Sequence, residues 1–567
     1  MKQRYHASMK LNLKKFNQIL WSNFRGMVQD MLDPEFYLGK YFTKNTNTGE
    51  KTTRIGCFTD TGCKQSPLEI IDFDAEENVT LERQTYYCVP VPGENQWIKD
   101  SYKQAFNNDP VIMQEERNNA QKRRLDEDEI VVNEEKMETE ISSKTSNSLE
   151  KKLRENNTES AEGSQQKGAE AKPKSKIDYA RNFPLSEEKG NAAFVKMYSK
   201  TTSLKLNDVA EFICILSVDP HFAQSSMQEE METNEVTWHE FNMEEDRAHC
   251  PPPSLVPRLH CLYYNKLEEL NPNVRNNHTD YECASKELTS IRADLIQTLK
   301  GLLGGDGIAA EYLLLHLISS VYGRVGAMCV GKFALNLFKL PNSGFCERLY
   351  QFIEKIVPKS HYLPMSLNNL NNKQFIPSKD FQANRLTSGV LQLSSGTNLI
   401  LDETQMEPGK LDTDGVKNLT ALGNLIQWQK LEYDFTFNRL DIETNVNVLV
   451  LSEGKSLLKC DCQLPINFED TTKQTNATSE KLLQKFRYYL SNVRQMKYEL
   501  TEEVQKALED DFVEMRKEDS KAMNADAFYV LLTTARYLAI SHGQSTLSAA
   551  LWTRVKELDA DLRKRLR

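Results

Sequence analysis

The chain has 567 residues, 39% of them apolar, with 71 Lys and Arg against 81 Asp and Glu, a formal net charge of −10. At roughly 100–200 residues per domain this is two to four units, and the acidic balance excludes a general nucleic-acid coat, which needs a broad basic surface. Eleven cysteines, odd in number and without a CxxC pair, suit a reducing compartment rather than a disulfide framework.

The first residues (MKQRYHASMKLNLKKFNQ) are basic but lack a continuous apolar stretch, so no secretory signal is expected. Phe24 to Phe42 carries two short apolar runs around Asp33-Pro34, a turn signal between strands. Tyr86 to Val91 reads as a strand ended by proline and glycine. From about Asn107 to Lys176 aromatics vanish, and Leu125 to Glu140 holds eight acids against one lysine. Such composition cannot bury enough apolar surface to offset ordering, so a disordered acidic linker is expected. Within it, Lys122-Arg123-Arg124 and a second cluster from Lys172 to Lys176 read as nuclear-import signals or as solvating charge. Val209 to Val218 is a further apolar strand. Short strands with polar turns suggest a small barrel or sandwich, the oligonucleotide-binding barrel among the options.

From Ser285 the period changes. Ile291, Leu295, Leu299 and Leu302 recur at helical spacing, Gly304-Gly305 ends the run, and Asp306 can cap the next helix. Apolar strands at Phe333–Leu340, Leu399–Leu401 and Val446–Leu451 alternate with helices at Phe345–Val357 and Val416–Gln429. This alternation implies an α/β layer with a largely parallel sheet. Four amphipathic stretches between Leu482 and Leu562 form a helical lid or bundle. The expected organisation is a β-rich domain over 1–106, the linker over 107–176, a β-rich segment over 177–284 completing the N-terminal part, an α/β domain over 285–470 and a lid over 471–567. No apolar stretch reaches the length a bilayer needs.

The sharpest chemical signal is Leu399-Ile400-Leu401-Asp402-Glu403. An apolar strand ending in two acids is half of an ATPase site, the first acid holding Mg²⁺ and the second orienting water. It needs a phosphate loop. Gly326 to Lys332 (GAMCVGK) has the glycine spacing and the lysine, but Phe333 stands where a Ser or Thr should bind Mg²⁺, and the stretch leads into a strand. The topologically better place, Pro341 to Phe345, has one glycine and no lysine. A sheet that has lost its nucleotide loop is the economical reading, with Asp402 and Glu403 vestigial and no cofactor. Cys460-Asp461-Cys462 lacks the second ligand pair of a zinc site, and Cys57, Cys63, His249-Cys250 and His260-Cys261 are no better supported. No metal site is expected. His316, among leucines, reads as a core histidine.

Several long stretches resemble the mini-chromosome maintenance complex-binding proteins. They include Gln29–Tyr41, Leu81–Lys99, Ile213–Pro220, Ser254–His260, Ala309–Tyr322, Phe375–Thr404 and Ala507–Lys517. The first 23 or so residues depart from that pattern, so an N-terminus shorter than the family's is expected. The resemblance implies a degenerate AAA+-like body, with Asp526 where helicase subunits carry a nucleotide-sensing arginine. It further implies a nuclear, non-enzymatic partner of helicase subunits, associated with chromatin indirectly. Its roles would lie in replication, the cell cycle and sister-chromatid cohesion, through assembly or unloading of the complex. Leu551, Val555 and Leu558 of the last helix are contact candidates or lid core; no other partner-binding residue is named. Neither membrane nor direct nucleic-acid binding is expected. The rivals are an active ATPase remodeller and a single-stranded DNA module stacking bases on Phe36, Tyr37, Tyr41, Tyr86 and Tyr87. Against the latter stand Asp30, Asp33, Glu35 and Glu94.

Overall fold

The computed structural model describes residues 21–59, 69–107, 181–199, 203–217, 251, 255–272, 281–341, 343–468, 478–518 and 523–566. The chain divides into two compact units, Met1–Lys99 with Arg181–Arg567, and Asp100–Ala180. The basic cluster Lys122-Arg123-Arg124 lies outside the described residues, as do Cys63, His249 and Cys250.

The N-terminal part of the larger unit is built from β1 (Trp21–Met31), β2 (Glu35–Asn45), β3 (Lys51–Ile55), β4 (Glu69–Asp72), β5 (Val79–Val89), β6 (Ala193–Met197), β7 (Val209–Leu216) and β8 (Arg258–Lys266). The Asp33-Pro34 signal is the turn between β1 and β2. Hydrogen-bonded neighbours run β1-β7-β8-β6-β5, and β1 also pairs with β5, so five strands close into a barrel. Neighbours in the ring are antiparallel except β6 and β8, which are parallel. β2, β3 and β4 extend from it as an antiparallel outgrowth.

Side chains alternate across a strand, and here both sides are covered. Val28, Tyr86, Cys88, Val195 and Phe212 belong to one apolar cluster, while their neighbours Met27, Tyr87, Val89 and Phe194 belong to another. That is why these strands read as continuous apolar runs rather than as alternating ones. The helix α1 (Gln96–Asn107) follows β5.

After α2 (Tyr281–Leu302), α3 (Gly307–Ile318) begins at Asp306, whose carboxylate accepts from the Ile308 and Ala309 amides at 3.0 Å. A hairpin, β9 (Gly323–Val325) and β10 (Met328–Val330), leads into the sheet strand β11 (Leu335–Phe338) and α4 (Ser343–Ile356). Next come β12 (Ser360–Pro364), the short α5 (Leu367–Asn372), β13 (Ser378–Asp380), β14 (Arg385–Thr387) and β15 (Thr397–Asp402). Then α6 (Thr413–Trp428), β16 (Lys430–Asp434), β17 (Arg439–Glu443), β18 (Val446–Leu451) and β19 (Cys462–Pro465) complete the layer. The end is helical: α7 (Glu480–Arg494), α8 (Glu502–Glu518), α9 (Ala525–Ser541) and α10 (Ala549–Leu566).

Strands β12-β15-β18-β11-β19 form a parallel sheet in that order. β15 and β18 are buried along their whole length, as parallel strands covered on both faces are. Ile400, Leu449 and Leu451 join a core with α2, α3, α4 and the four terminal helices. Leu399, Leu401, Val448 and Val450 face α6 and the small sheet β14-β13-β16-β17. Val555 and Leu558 are fully buried in the first of these cores and Leu551 packs against it, so the stripe proposed for contact on α10 is core.

Barrel and sheet share buried polar contacts. The Gln392 amide donates to the Gln29 carbonyl at 2.9 Å, and Asp30 accepts from the Leu386 amide at 2.8 Å. Asn95 and Trp97 donate to the Val357 carbonyl at 2.8 and 2.9 Å. No single helix among the described residues is long and apolar enough to cross a membrane.

Candidate functional site

Asp402 ends β15, and its register partners place it level with Leu451 of β18, itself level with Leu337 of β11. It therefore stands at the carboxyl edge of the sheet, where open α/β layers bind ligands. The carboxylate is fully buried. It caps a short 3₁₀ turn, accepting from the Thr404 amide at 2.9 Å and the Thr404 hydroxyl at 2.6 Å. The Tyr362 hydroxyl of β12 donates to its other oxygen. The Tyr362 ring lies against that of Tyr350 of α4, centroids 5.1 Å apart and planes tilted by 33°, and Cys346 lies 4.0 Å from the Thr404 hydroxyl. Burial, with the Asp402 charge beside it, pushes the Cys346 thiol up to about 12. The space in front of the acid is thus filled by the protein's own hydroxyl, ring and thiol groups.

Glu403 is half-buried and accepts from the Ser456 hydroxyl at 2.8 Å. Burial raises its carboxyl above the usual range, while bonds from Ser456 and from the Leu457 and Leu458 amides oppose the rise. Its oxygens are held by the loop after β18 rather than presented to a water.

The loop between β11 and α4 is short. The Lys339 amide donates to the Glu453 carbonyl at 3.1 Å, and the Leu340 amide lies 3.4 Å from the Ser452 carbonyl. Ser452 in turn donates from its amide to the Leu337 carbonyl at 3.0 Å. A phosphate loop presents several free amides to the ligand; these two are committed to the neighbouring loop. Leu340 is buried in the core.

The glycine-rich stretch Gly326–Lys332 runs from the turn of the β9–β10 hairpin through β10 to the two residues after it. Gly331 has φ +97°, and a Cβ there would lie 2.5 Å from both the Ser320 carbonyl and the Tyr322 ring, so its glycine serves chain packing. Lys332 pairs with Asp461, which also accepts from the Ala334 amide at 2.8 Å. In a parallel sheet, this stretch before β11 lies at the amino edge, on the order of 15 Å along the strand from the level of Asp402. The lysine and the acid pair are not brought together. Asp526 is exposed in the first turn of α9, behind the cap Asn524. The next turn of α9 meets the hairpin, where the Tyr529 hydroxyl donates to the Cys329 carbonyl at 2.9 Å. Asp526 therefore also belongs to the amino edge.

Other sequence candidates find structural places. His316 is buried, its Nδ1 2.8 Å from the Phe333 carbonyl, and burial drops it to about 4. Cys460 and Cys462 are buried, and no metal-holding cluster occurs among the described residues. Tyr41, Tyr86 and Tyr87 are core; Phe36 is exposed, and Tyr37 lies edge-on to Tyr198 at 5.3 Å. A cavity of about 440 Å³ lies between α5, α6 and β16–β17, lined by Lys373, Asp414, Lys417, Glu432, Asp434 and Arg439 among others. Asp402 and Glu403 do not line it.

The family described as Mini-chromosome maintenance replisome factor has a sequence profile that matches residues 9–566 of this chain. The chain belongs to this family. The Mini-chromosome maintenance complex-binding protein of Danio rerio is 43% identical over 559 residues, covering 95% of this chain and 87% of the relative. That of Homo sapiens is 41% identical over 578 residues, covering 96% and 88%. That of Drosophila melanogaster is 37% identical over 584 residues, covering 99% and 93%.

In this family member, sequence reasoning located the acids but missed what closes over them. Tyr362, Thr404 and Ser456 carry no motif. Thr404 alone had a local signal, as the residue two after a capping aspartate; Tyr362 reaches Asp402 only because β12 pairs with β15.

Proposed function

We propose that this protein binds subunits of the mini-chromosome maintenance helicase and regulates assembly or unloading of that complex in DNA replication, without hydrolysing ATP. The observation that carries the partner is similarity over nearly the whole chain to proteins named for binding that complex. Absence of hydrolysis is argued from the site. Asp402 is engaged by Tyr362 and Thr404, Glu403 by Ser456, and the loop amides after β11 by Ser452 and Glu453. Phosphoryl transfer needs a phosphate cradle, a cation and a free acid in one place.

We read the α/β body as AAA+-like, supported by a parallel sheet whose loop strand β11 and acid strand β15 flank β18. We read the barrel as OB-like, supported by its closed ring of five strands. In chain order they run first-second-third-fifth-fourth, with third and fifth parallel. A subunit-like shape can occupy a subunit's place in a ring without the nucleotide that closes it. A nuclear location through Lys122-Arg123-Arg124 and a role in sister-chromatid cohesion complete the proposal.

The test uses the full chain. Purified helicase subunits are offered one at a time after nuclease treatment, and Mg²⁺–ATP is titrated by calorimetry. Binding to a subunit with no nucleotide binding up to millimolar is expected. Micromolar ATP binding lost in Asp402→Ala would make the remodeller the leading reading. Loss of nuclear accumulation on replacing the three basic residues with alanine tests the location.

A further inference from the structure

The sheet that β2 makes with β3, β4 and β5 has one closed face and one open face. Directly opposed residues of an antiparallel pair share a face, and so does every second residue of a strand. On the closed side Tyr41 and Thr43 are buried, and Arg54 pairs with Glu69 at 2.8 Å. On the open side the register sets three rows across the strands. Lys40 stands between Ile55 of β3 and Val79 of β5. Phe42 stands between Thr53 of β3 and Asp72 of β4, and Lys44 between Lys51 and Ile70. Lys51 reaches over β2 to Asp72 at 3.3 Å, which ties the rows into one surface.

An antiparallel sheet with one solvated face ordinarily turns polar side chains outward. Here Ile55, Ile70 and Val79 are 69%, 57% and 44% exposed. Apolar side chains left contiguous on one face mark an interaction site. The lysines give its sign. Lys40 and Lys44 are exposed, and among the described residues no carboxylate pairs with either. Charges that guard a sheet against edge-to-edge pairing sit on edge strands, whereas these two lie on β2, between its neighbours. Within the rows three lysines face one acid, Asp72, which Lys51 already holds. Glu82 lies beyond the rows, opposite Phe36, and Asp74, Glu76 and Glu77 lie outside the strands.

A single-stranded nucleic acid needs aromatic faces for its bases. Phe42, the one ring in the rows, has the Lys40 ammonium over it, 5.5 Å from its centroid, and its exposed apolar neighbours are aliphatic. A protein segment bearing carboxylates and aliphatic side chains fits instead. Lys40 and Lys44 stand about 13 Å apart along the strand, which sets the order of spacing for the acids they receive.

We propose that the open face of β2, β3 and β4 docks an acidic, apolar-sided segment of a protein partner. Lys40 and Lys44 receive its carboxylates, and Ile55, Ile70 and Val79 its aliphatic side chains. This rests on the reading that helicase subunits are the partners.

The test compares the full-length wild type with two double variants, Lys40→Glu with Lys44→Glu, and Ile55→Ser with Ile70→Ser. A control of equal charge change, Lys481→Glu with Lys485→Glu, alters the exposed side of α7. Affinity for the purified helicase subunit that wild type binds is measured between about 50 and 300 mM salt, and thermal melting monitors the fold. The expected result is at least a tenfold loss on charge reversal at Lys40 and Lys44, with a flattened salt dependence. The isoleucine variant should lose as much and keep the wild-type salt dependence, and the control should bind like wild type. Wild-type affinity after reversal at Lys40 and Lys44, or an equal loss in the control, overturns this surface and leaves the partner reading standing. Tighter binding of wild type to oligothymidylate than to any subunit, lost on the same reversal, makes the face a nucleic-acid site and overturns the proposal. No binding by the wild-type chain to any subunit overturns the partner reading and this surface with it. Should the charge-reversed variant not fold, the isoleucine variant decides: a tenfold loss supports the surface, and unchanged binding overturns it.

Discussion

Replacing Asp402 separates a structural acid from a catalytic one. Its carboxylate accepts three hydrogen bonds, from the Thr404 amide, the Thr404 hydroxyl and the Tyr362 hydroxyl. Bonds to a charged acceptor contribute roughly 1.5–3 kcal/mol each and are not additive when they share it. Asp402→Ala removes all three, leaves the Tyr362 hydroxyl facing a void and deletes the cap of the turn. The expected cost is about 3–5 kcal/mol, at the exceptional end for single substitutions. Asp402→Asn keeps a carbonyl oxygen for Thr404, and the Tyr362 hydroxyl can rotate to accept from the new amide, so its cost should be about 1 kcal/mol. Urea unfolding followed by tryptophan fluorescence measures both. Binding to helicase subunits at 20 °C should be unchanged in Asp402→Asn. The reasoning is refuted if Asn is as damaging as Ala to stability, or if Asn spares the fold but abolishes binding or a nucleotide-dependent activity.

Glu403→Gln keeps the bond from Ser456 and removes a desolvated charge. Because the folded-state pKa is raised, ionisation costs stability as pH rises from the unfolded value of about 4.3; at pH 7 the variant should be the more stable, seen as a higher urea midpoint. Lys359 is buried, with Nζ donating to Ser394 at 2.9 Å, and burial lowers it to about 7. The unfolded chain holds that proton to about pH 10.4, so Lys359 makes stability rise with pH above 7. Lys359→Met should flatten the pH 7–9 limb of the unfolding curve, and an unchanged slope would refute the assignment. Leu558→Ala should cost about 2–5 kcal/mol as a core truncation, lowering the melting temperature while subunit affinity per folded molecule stays constant. Gly331→Ala, strained at φ +97° and crowded by Ser320 and Tyr322, should cost more than about 1 kcal/mol and leave nucleotide titrations unchanged.

Local order was legible because it rests on local rules. The 3.6-residue stripes of the terminal helices, the buried runs of β15 and β18, the Asp33-Pro34 turn and the Asp306 cap each depend on residues within a turn or two of one another. The same holds for the mismatch in Gly326–Lys332, where the missing hydroxyl and the following strand were visible in the order of residues. The elements hidden from such reading were short or polar, such as β12, β13, β14 and the exposed β17, where period and burial give little signal.

The sequence by itself determined the longer helices from Ser285 onward, the apolar strands, the family and the mismatch of Gly326–Lys332 to a phosphate-loop motif. The tertiary structure alone decided what its acids and cations do. Closing the barrel joins β5 to β6, strands from either side of the long acidic segment. The seal over Asp402 needs Tyr362, forty residues earlier, brought alongside by parallel pairing. Arg536 is matched to rings of Tyr322 and Tyr498 from two other parts of the chain, and to no carboxylate among the described residues. Hydrogen bonds and charges act over a few ångströms of space, whatever the separation along the chain, so their partners are chosen by the fold.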